Sequence, residues 1–188
     1  MKEGKFNENT RVQVPAALHL VRLGYTYLAG IKDKEYNADT NILCEIFLRS
    51  LKRINPNLTE AEAQKKLRSI IRILGNDDLG QEFYNKLSSI SGIKLIDFDN
   101  PANNEWHVTT EFTCEDKDSG DSFRPDITCF VNGLPLAFIE VKKPNNVEGI
   151  LAEKDRIEKR MKNTRFRKFI NITQLMIFSN NQEYDHEN

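Results

Sequence analysis

No apolar run in this sequence approaches the roughly 18–20 residues of a membrane span, and the N-terminal MKEGKFNENTR lacks a signal peptide's apolar region. Cysteine is scarce. Cys44, Cys114 and Cys129 are odd in number and widely spaced. That argues against a disulfide framework or a zinc site and points to reduced core thiols in a cytoplasmic protein. His19, His107 and His186 have no metal-ligand spacing. A Gly-x-x-x-x-Gly-Lys-Ser/Thr stretch is missing, so the chain has no phosphate loop for ATP. There is no internal repeat and no low-complexity segment. Neither charge is in excess, with 27 Lys and Arg against 28 Asp and Glu, so the net balance does not indicate nucleic acid. What remains, 188 residues at 39% hydrophobic and 29% charged, suits one soluble globular domain with a proper core.

The charge is unevenly distributed. Residues 91–140 carry ten acidic groups against three Lys or Arg, and residues 141–168 carry ten basic against four acidic. An acidic patch beside a basic one fits a metal site next to a phosphate-binding surface. Two solvated faces of opposite sign would give the same counts.

The stretch Arg124 to Lys142, RPDITCFVNGLPLAFIEVK, organises the chain. Ile127 to Val131 and Leu136 to Val141 read as strands. Asn132-Gly133 between them is a strong hairpin signal, because both residues tolerate positive φ. The hairpin is apolar enough for burial on both faces, apart from Asp126, Glu140 and Lys142. Buried charge costs several kcal/mol unless it is paired or binds a metal. Glu140 and Lys142 leave the same face of their strand, about 7 Å apart. Two carboxylates and a lysine there suit a divalent-metal site with a basic group beside it. An ordinary Glu140–Lys142 pair on an edge strand, with Asp126 in a Pro-Asp turn, is the plainer reading.

Elsewhere, Arg11 to Leu23 has helical periodicity with Gly24 as a stop. Glu8 lies just before it, with Asn9 or Thr10 as cap. Asp39 to Ile54 reads as a second helix ended by Pro56. Thr59-Glu60-Ala61-Glu62 is a capping box opening a third, to about Leu74. Its face Lys65, Lys66, Arg68 and Arg72 is basic. Asp77 or Asp78 starts a fourth, to about Ile90. Strands are expected at Ile93 to Phe98 and Trp106 to Phe112, then a loop or hairpin tip at Cys114 to Ser122. Val147 to about Asn163 reads as a basic helix, Phe166 to Ile172 is ambiguous, and Gln174 to Phe178 suits a last buried strand. The class is α/β with a mixed sheet flanked by helices. A helical portion spans about 1–92, and the sheet with its flanking helix about 93–188.

Pro125-Asp126, thirteen residues, then Glu140-Val141-Lys142 matches the PD-(D/E)xK pattern. The longer string RPDITCFVNGLPLAFIEVKKP resembles the N-terminal nuclease domain of type I restriction enzyme R subunits. The likeness extends to Ile96-Asp97-Phe98-Asp99-Asn100-Pro101, Glu111-Phe112 and Phe178-Ser179-Asn180-Asn181, and upstream to Leu23-Gly24-Tyr25 and Arg53-Ile54-Asn55-Pro56.

This resemblance implies a PD-(D/E)xK core and Mg²⁺-dependent cleavage of double-stranded DNA. Asp126, Glu140 and Lys142 become the catalytic residues, with Asp126, Glu140 and the Val141 backbone carbonyl as metal ligands. Glu8 is the candidate for the first-helix glutamate that often completes such sites, unless it only favours the helix dipole. Glu45 is a weaker alternative. Lys143, Arg156 and Arg160 are candidate DNA contacts. Many R subunits carry a Gln-x-x-x-Tyr pair on the following helix. Here that turn reads Lys154-Asp155-Arg156-Ile157-Glu158-Lys159-Arg160, so Arg156 and Arg160 either replace the pair as phosphate contacts or form a solvated face. The resemblance further implies modification and specificity subunits as partners. It also implies an ATP-driven translocase downstream, which makes this chain an N-terminal fragment of a longer one. The alternatives are a non-catalytic DNA-binding or docking module, and another PD-(D/E)xK nuclease of DNA repair.

Register adds a geometric expectation. With a strict two-residue turn, Asp126 would face Ile139, and Asp126 and Glu140 would point to opposite sides of the sheet. A one-residue slip exchanges faces. A shared site therefore demands a three-residue loop, Asn132 to Leu134, with a bulge, or a bulge elsewhere in the pair. Pro125 or Pro135 could mark it.

Overall fold

The computed structural model describes residues 12–31, 35–115, 122–142 and 147–179. Its centre is a five-stranded mixed sheet, formed by β1 (Thr26–Tyr27), β4 (Trp106–Thr110), β7 (Ile127–Val131), β8 (Leu134–Val141) and β9 (Leu175–Ser179) in that order. The central pairs β4–β7 and β7–β8 are antiparallel, while β1 and β9 add in parallel at the two edges. Helices flank the sheet, as the α/β reading anticipates.

The helical start is interrupted by strands. After α1 (Val14–Arg22), β1 joins the central sheet, and β2 (Tyr36–Asn37) pairs with β3 (Ile42–Leu43). The helix expected from Asp39 begins only at Cys44, as α2 (Cys44–Ile54). Asn37 Oδ1 explains the delay. It accepts from the Thr40 amide and hydroxyl at 3.1 and 2.9 Å, and holds a turn in which Asn41 has φ +58°. α3 (Glu60–Ile73) starts from the full capping box, Thr59 and Glu62 bonding reciprocally. α4 (Gln81–Leu87) is shorter than its pattern suggests. Asp78 caps it, accepting from the Gly80 and Glu82 amides.

Residues 93–98 form no strand. Their backbone groups bond to asparagine side chains instead of a neighbouring strand. Asn55 bonds Lys94 on both its amide and carbonyl, Asn104 accepts from the Asp97 amide, and Asn132 donates to the Leu95 carbonyl. The short hairpin β5 (Cys114–Glu115) and β6 (Ser122–Phe123) follows β4. After β8 come α5 (Val147–Met161) and α6 (Arg167–Ile172), which settles the ambiguous stretch as a 3-10 turn and a short helix. The largest core cluster joins Phe47, Leu51, Leu67, Ile70 and Phe83 of α2–α4 to Val131, Leu134 and Leu136 at the turn end of the central hairpin. A second joins Phe138 of β8 to Phe123, Ile157, Phe166 and Phe169. α1 packs Ala16 and Leu20 with Val108, Ile127 and Cys129.

Candidate active site

The central hairpin has a two-residue turn and a bulge. Asn132 and Gly133 take φ +52° and +78°, the conformation that the Asn-Gly pair favours. Val131 faces Leu134 and Phe130 faces Pro135. The register then shifts, so that Cys129 faces Ala137, Thr128 faces Phe138 and Ile127 faces Ile139. Leu136, directly after Pro135, is the extra residue. No three-residue loop is needed, and of the two prolines it is Pro135 that adjoins the bulge.

The ladder ends at Ile127 and Ile139, and Asp126 is a bend residue just before β7; the shifted register extended by one position would set it opposite Glu140, on a shared face. Contacts at this end agree. The Val141 amide donates to Asp126 Oδ2 at 2.8 Å. The Asp126 carbonyl accepts from the Glu111 amide at 3.0 Å and from Gln13 Nε2 at 2.7 Å. Asp126 is thus fastened from α1's edge, from the end of β4 and from β8. Glu140 is 5% exposed on β8. Phe138 lies two residues before it and belongs to the cluster with Phe123, Ile157 and Phe169, so alternation sets Glu140 on the side covered by α5 and α6. The β8–β9 ladder continues past Glu140, which faces Phe178, to a Lys142 amide bond with the Ser179 carbonyl at 2.8 Å. Lys142, half-buried, follows Glu140 by two positions.

Extended one residue past the ends of β7 and β8, register and alternation would set Asp126, Glu140 and Lys142 on one face at the open end of the hairpin. The donors available are hard oxygens: the Glu140 carboxylate and the Val141 carbonyl on β8, which lies between β7 and β9, and the Asp126 carboxylate from the bend before β7. Mg²⁺ is held by one or two carboxylates with waters completing its shell, and this pair fits that requirement. Among the described residues no cluster of three or more His, Cys, Asp or Glu side chains forms a fuller metal cage. Glu8 and Lys143 lie outside the described residues. Glu45 is elsewhere, lining a separate cavity with Leu28, Ile46, Arg49 and His107.

On α5, Ile157 is buried and Arg156 exposed. The Arg160 guanidinium stands 4.2 Å from the centroid of the Phe123 ring, which itself meets Phe138 and Phe169 edge-on. Arg160 therefore helps seat α5 on the sheet as a cation over an aromatic face, a role that its basic pattern alone did not indicate. Gln13 also escapes sequence reading. It is 3% exposed and reaches a residue 113 positions away, and a glutamine before an amphipathic helix carries no signal of that.

The sequence model for the type I restriction enzyme R protein N terminus matches residues 5–185. A protein of Methanocaldococcus jannaschii, named as a candidate MjaIXP endonuclease subunit of a type I restriction enzyme, is 35% identical over 166 residues. The match covers 76% of this chain and 16% of that protein. The type I restriction enzyme HindI endonuclease subunit of Haemophilus influenzae is 26% identical over 122 residues, covering 55% of this chain and 11% of the relative. The chain thus corresponds to a small part of either relative's length.

Proposed function

Because the chain belongs to the family of type I restriction enzyme R protein N termini, we propose that it is the endonuclease domain of such an enzyme, with a PD-(D/E)xK core that hydrolyses DNA phosphodiester bonds. The observation that carries this reading is the bulge at Leu136, which, with the register carried one residue past Ile127 and Ile139, would turn Asp126 and Glu140 to one side of the sheet. The class of the named relatives supports the substrate. Magnesium, when bound, would supply a Lewis acid and an activated water. Asp126, Glu140 and the Val141 carbonyl would hold it. Asp126 is pre-set for that work, since the Val141 amide fixes one of its oxygens. Lys142 would orient or deprotonate the attacking water, or neutralise charge on the scissile phosphate. Arg156, exposed on α5, would contact neighbouring phosphates, and Lys143 follows the motif as a further candidate.

Sequence choice and methylation would belong to specificity and modification subunits, and ATP use to a translocase in the complete enzyme. The test is substitution in that complex. Asp126→Ala, Glu140→Ala and Lys142→Ala should each abolish DNA cleavage while sparing ATP hydrolysis. Cleavage at the wild-type rate by any one removes that residue from the mechanism. Mg²⁺ binding with no cleavage by the wild type would favour a docking module built on a nuclease fold.

A further inference from the structure

α3 buries Ala63, Leu67, Ile70 and Ile73 in the main core. The opposite side presents Lys65, Arg68 and Arg72, all exposed, at helical spacings of three and four. Lys66, partly buried, lies beside them, and its pKa is pushed down by burial and by Lys86 of α4. The acidic groups of the neighbourhood have hydrogen-bond or ion-pair partners of their own. Glu60 pairs with Lys52 at 2.6 Å, and Glu62 closes the capping box on Thr59. Asp78 caps α4, and Glu82 accepts from Asn76. Asp77 pairs with Arg167 and Asp39 with Lys168. Among the described residues, Lys65, Lys66, Arg68, Arg72 and Lys86 make no ion pair. Five cations thus gather on two packed helices with no salt bridge, Lys65 alone feeling the charge of Glu62, on a helix made rigid by its cap and its buried face.

We propose that this stripe is a second phosphate-binding surface for duplex DNA, apart from the carboxylate site. The inference rests on DNA being the substrate. Lys65 to Arg72 rises about 10 Å along the helix, close to the axial rise of three nucleotides of a duplex. α3 packs at the turn end of the hairpin, whereas Asp126 and Glu140 occupy its open end. Leu134 and Glu140 are six strand residues, about 20 Å, apart. The stripe is therefore an anchor for flanking backbone, on a helix packed at the other end of the hairpin from the carboxylates. Phosphate contacts of this kind position a duplex without reading its sequence.

The test compares Lys65→Ala/Arg68→Ala/Arg72→Ala with the control Lys52→Ala/Lys94→Ala in the full chain. The control ammonium groups are already paired, with Glu60 and Asp99. The probe is a fluorescein-labelled duplex of arbitrary sequence, followed by anisotropy in EDTA over about 50–200 mM salt. The triple variant should bind at least about tenfold more weakly, and its plot of log affinity against log salt should be shallower by about 2–3 units. Alanine suits exposed helix positions. If its circular dichroism is nonetheless altered, Arg68→Glu/Arg72→Glu should weaken binding further. An unchanged slope, or a loss no larger than the control's, overturns the proposal. So does loss of a partner subunit with duplex affinity intact, which would make the stripe a protein-docking surface. Cleavage by Asp126→Ala would defeat the site reading and leave this result standing. A wild type that binds no duplex would defeat both.

Discussion

Replacing Gly133 with alanine should destabilise the protein through two separable effects. Gly133 has φ +78°, and a Cβ there would lie 2.6 Å from the Leu43 carbonyl oxygen and 2.8 Å from the Phe47 amide nitrogen. Both are backbone atoms where β3 meets α2, so no side chain can swing aside. The left-handed conformation with a Cβ costs about 1–2 kcal/mol, and overpacking a tight site about 1–3 more. Relieving the clash would also stretch the 2.9 Å bond from the Leu43 amide to the Gly133 carbonyl. The total is about 2–5 kcal/mol, which for a domain of this size lowers Tm by roughly 5–15 °C. Gly30→Ala is the control, because Gly30 has φ +62° and an added methyl would meet nothing within 4 Å. It should lose only the conformational part, roughly 2–6 °C. Thermal denaturation by circular dichroism reads both. If Gly133→Ala melts no lower than Gly30→Ala, the turn is not docked against α2 as described.

Two further outcomes are expected. Glu105 accepts from Arg49 at Nε and Nη2 and from Ser50, with Arg53 at 3.4 Å. The Arg49 bonds, with help from Ser50 and Arg53, hold its carboxyl below the usual 4.5. Its stabilising contribution is complete above that value and is lost as pH falls through the lower folded value. Glu105→Gln should therefore melt earlier at neutral pH and show a shallower acid limb in a Tm-against-pH series; an identical limb would remove the pair from the account. Burial pushes the Cys129 thiol up to about 11. Labelling by an aromatic disulfide at pH 8 should thus proceed no faster than unfolding, and rapid labelling of Cys129 in the native protein would contradict its burial.

Features written in local pattern were legible in the sequence. The Thr59–Glu62 box, the Asn132-Gly133 turn and the basic face of α3 all take the form that their spacing predicts, because each depends on neighbours a few residues away. The need for an extra residue in the hairpin was also readable, since it follows from counting, although its position at Leu136 was not. Residues 93–98 misled because Ile93, Leu95 and Ile96 look strand-like, while the groups that bind their backbone sit on Asn55, Asn104 and Asn132. β1 is two residues long, too short for any period, yet it completes the sheet beside β4. The hold of Gln13 on Asp126 and the seat of Arg160 on Phe123 are tertiary contacts between distant segments, and no residue pattern announces them.

The bulge at Leu136 makes the number of residues between Asp126 and Glu140 a matter of parity. With a two-residue turn and a regular ladder, the two carboxylates share a face only when an even number of residues separates them. The thirteen present here succeed because one is shunted out of the ladder. Deleting Leu136 and losing the bulge together would therefore preserve the pairing of the carboxylates. An insertion of one residue into the spacer without a compensating irregularity would send Glu140 to the α1 side, and an insertion of two would return it. Length variants of this hairpin should accordingly alternate between sites that can assemble and sites that cannot, with little regard to which residues are added.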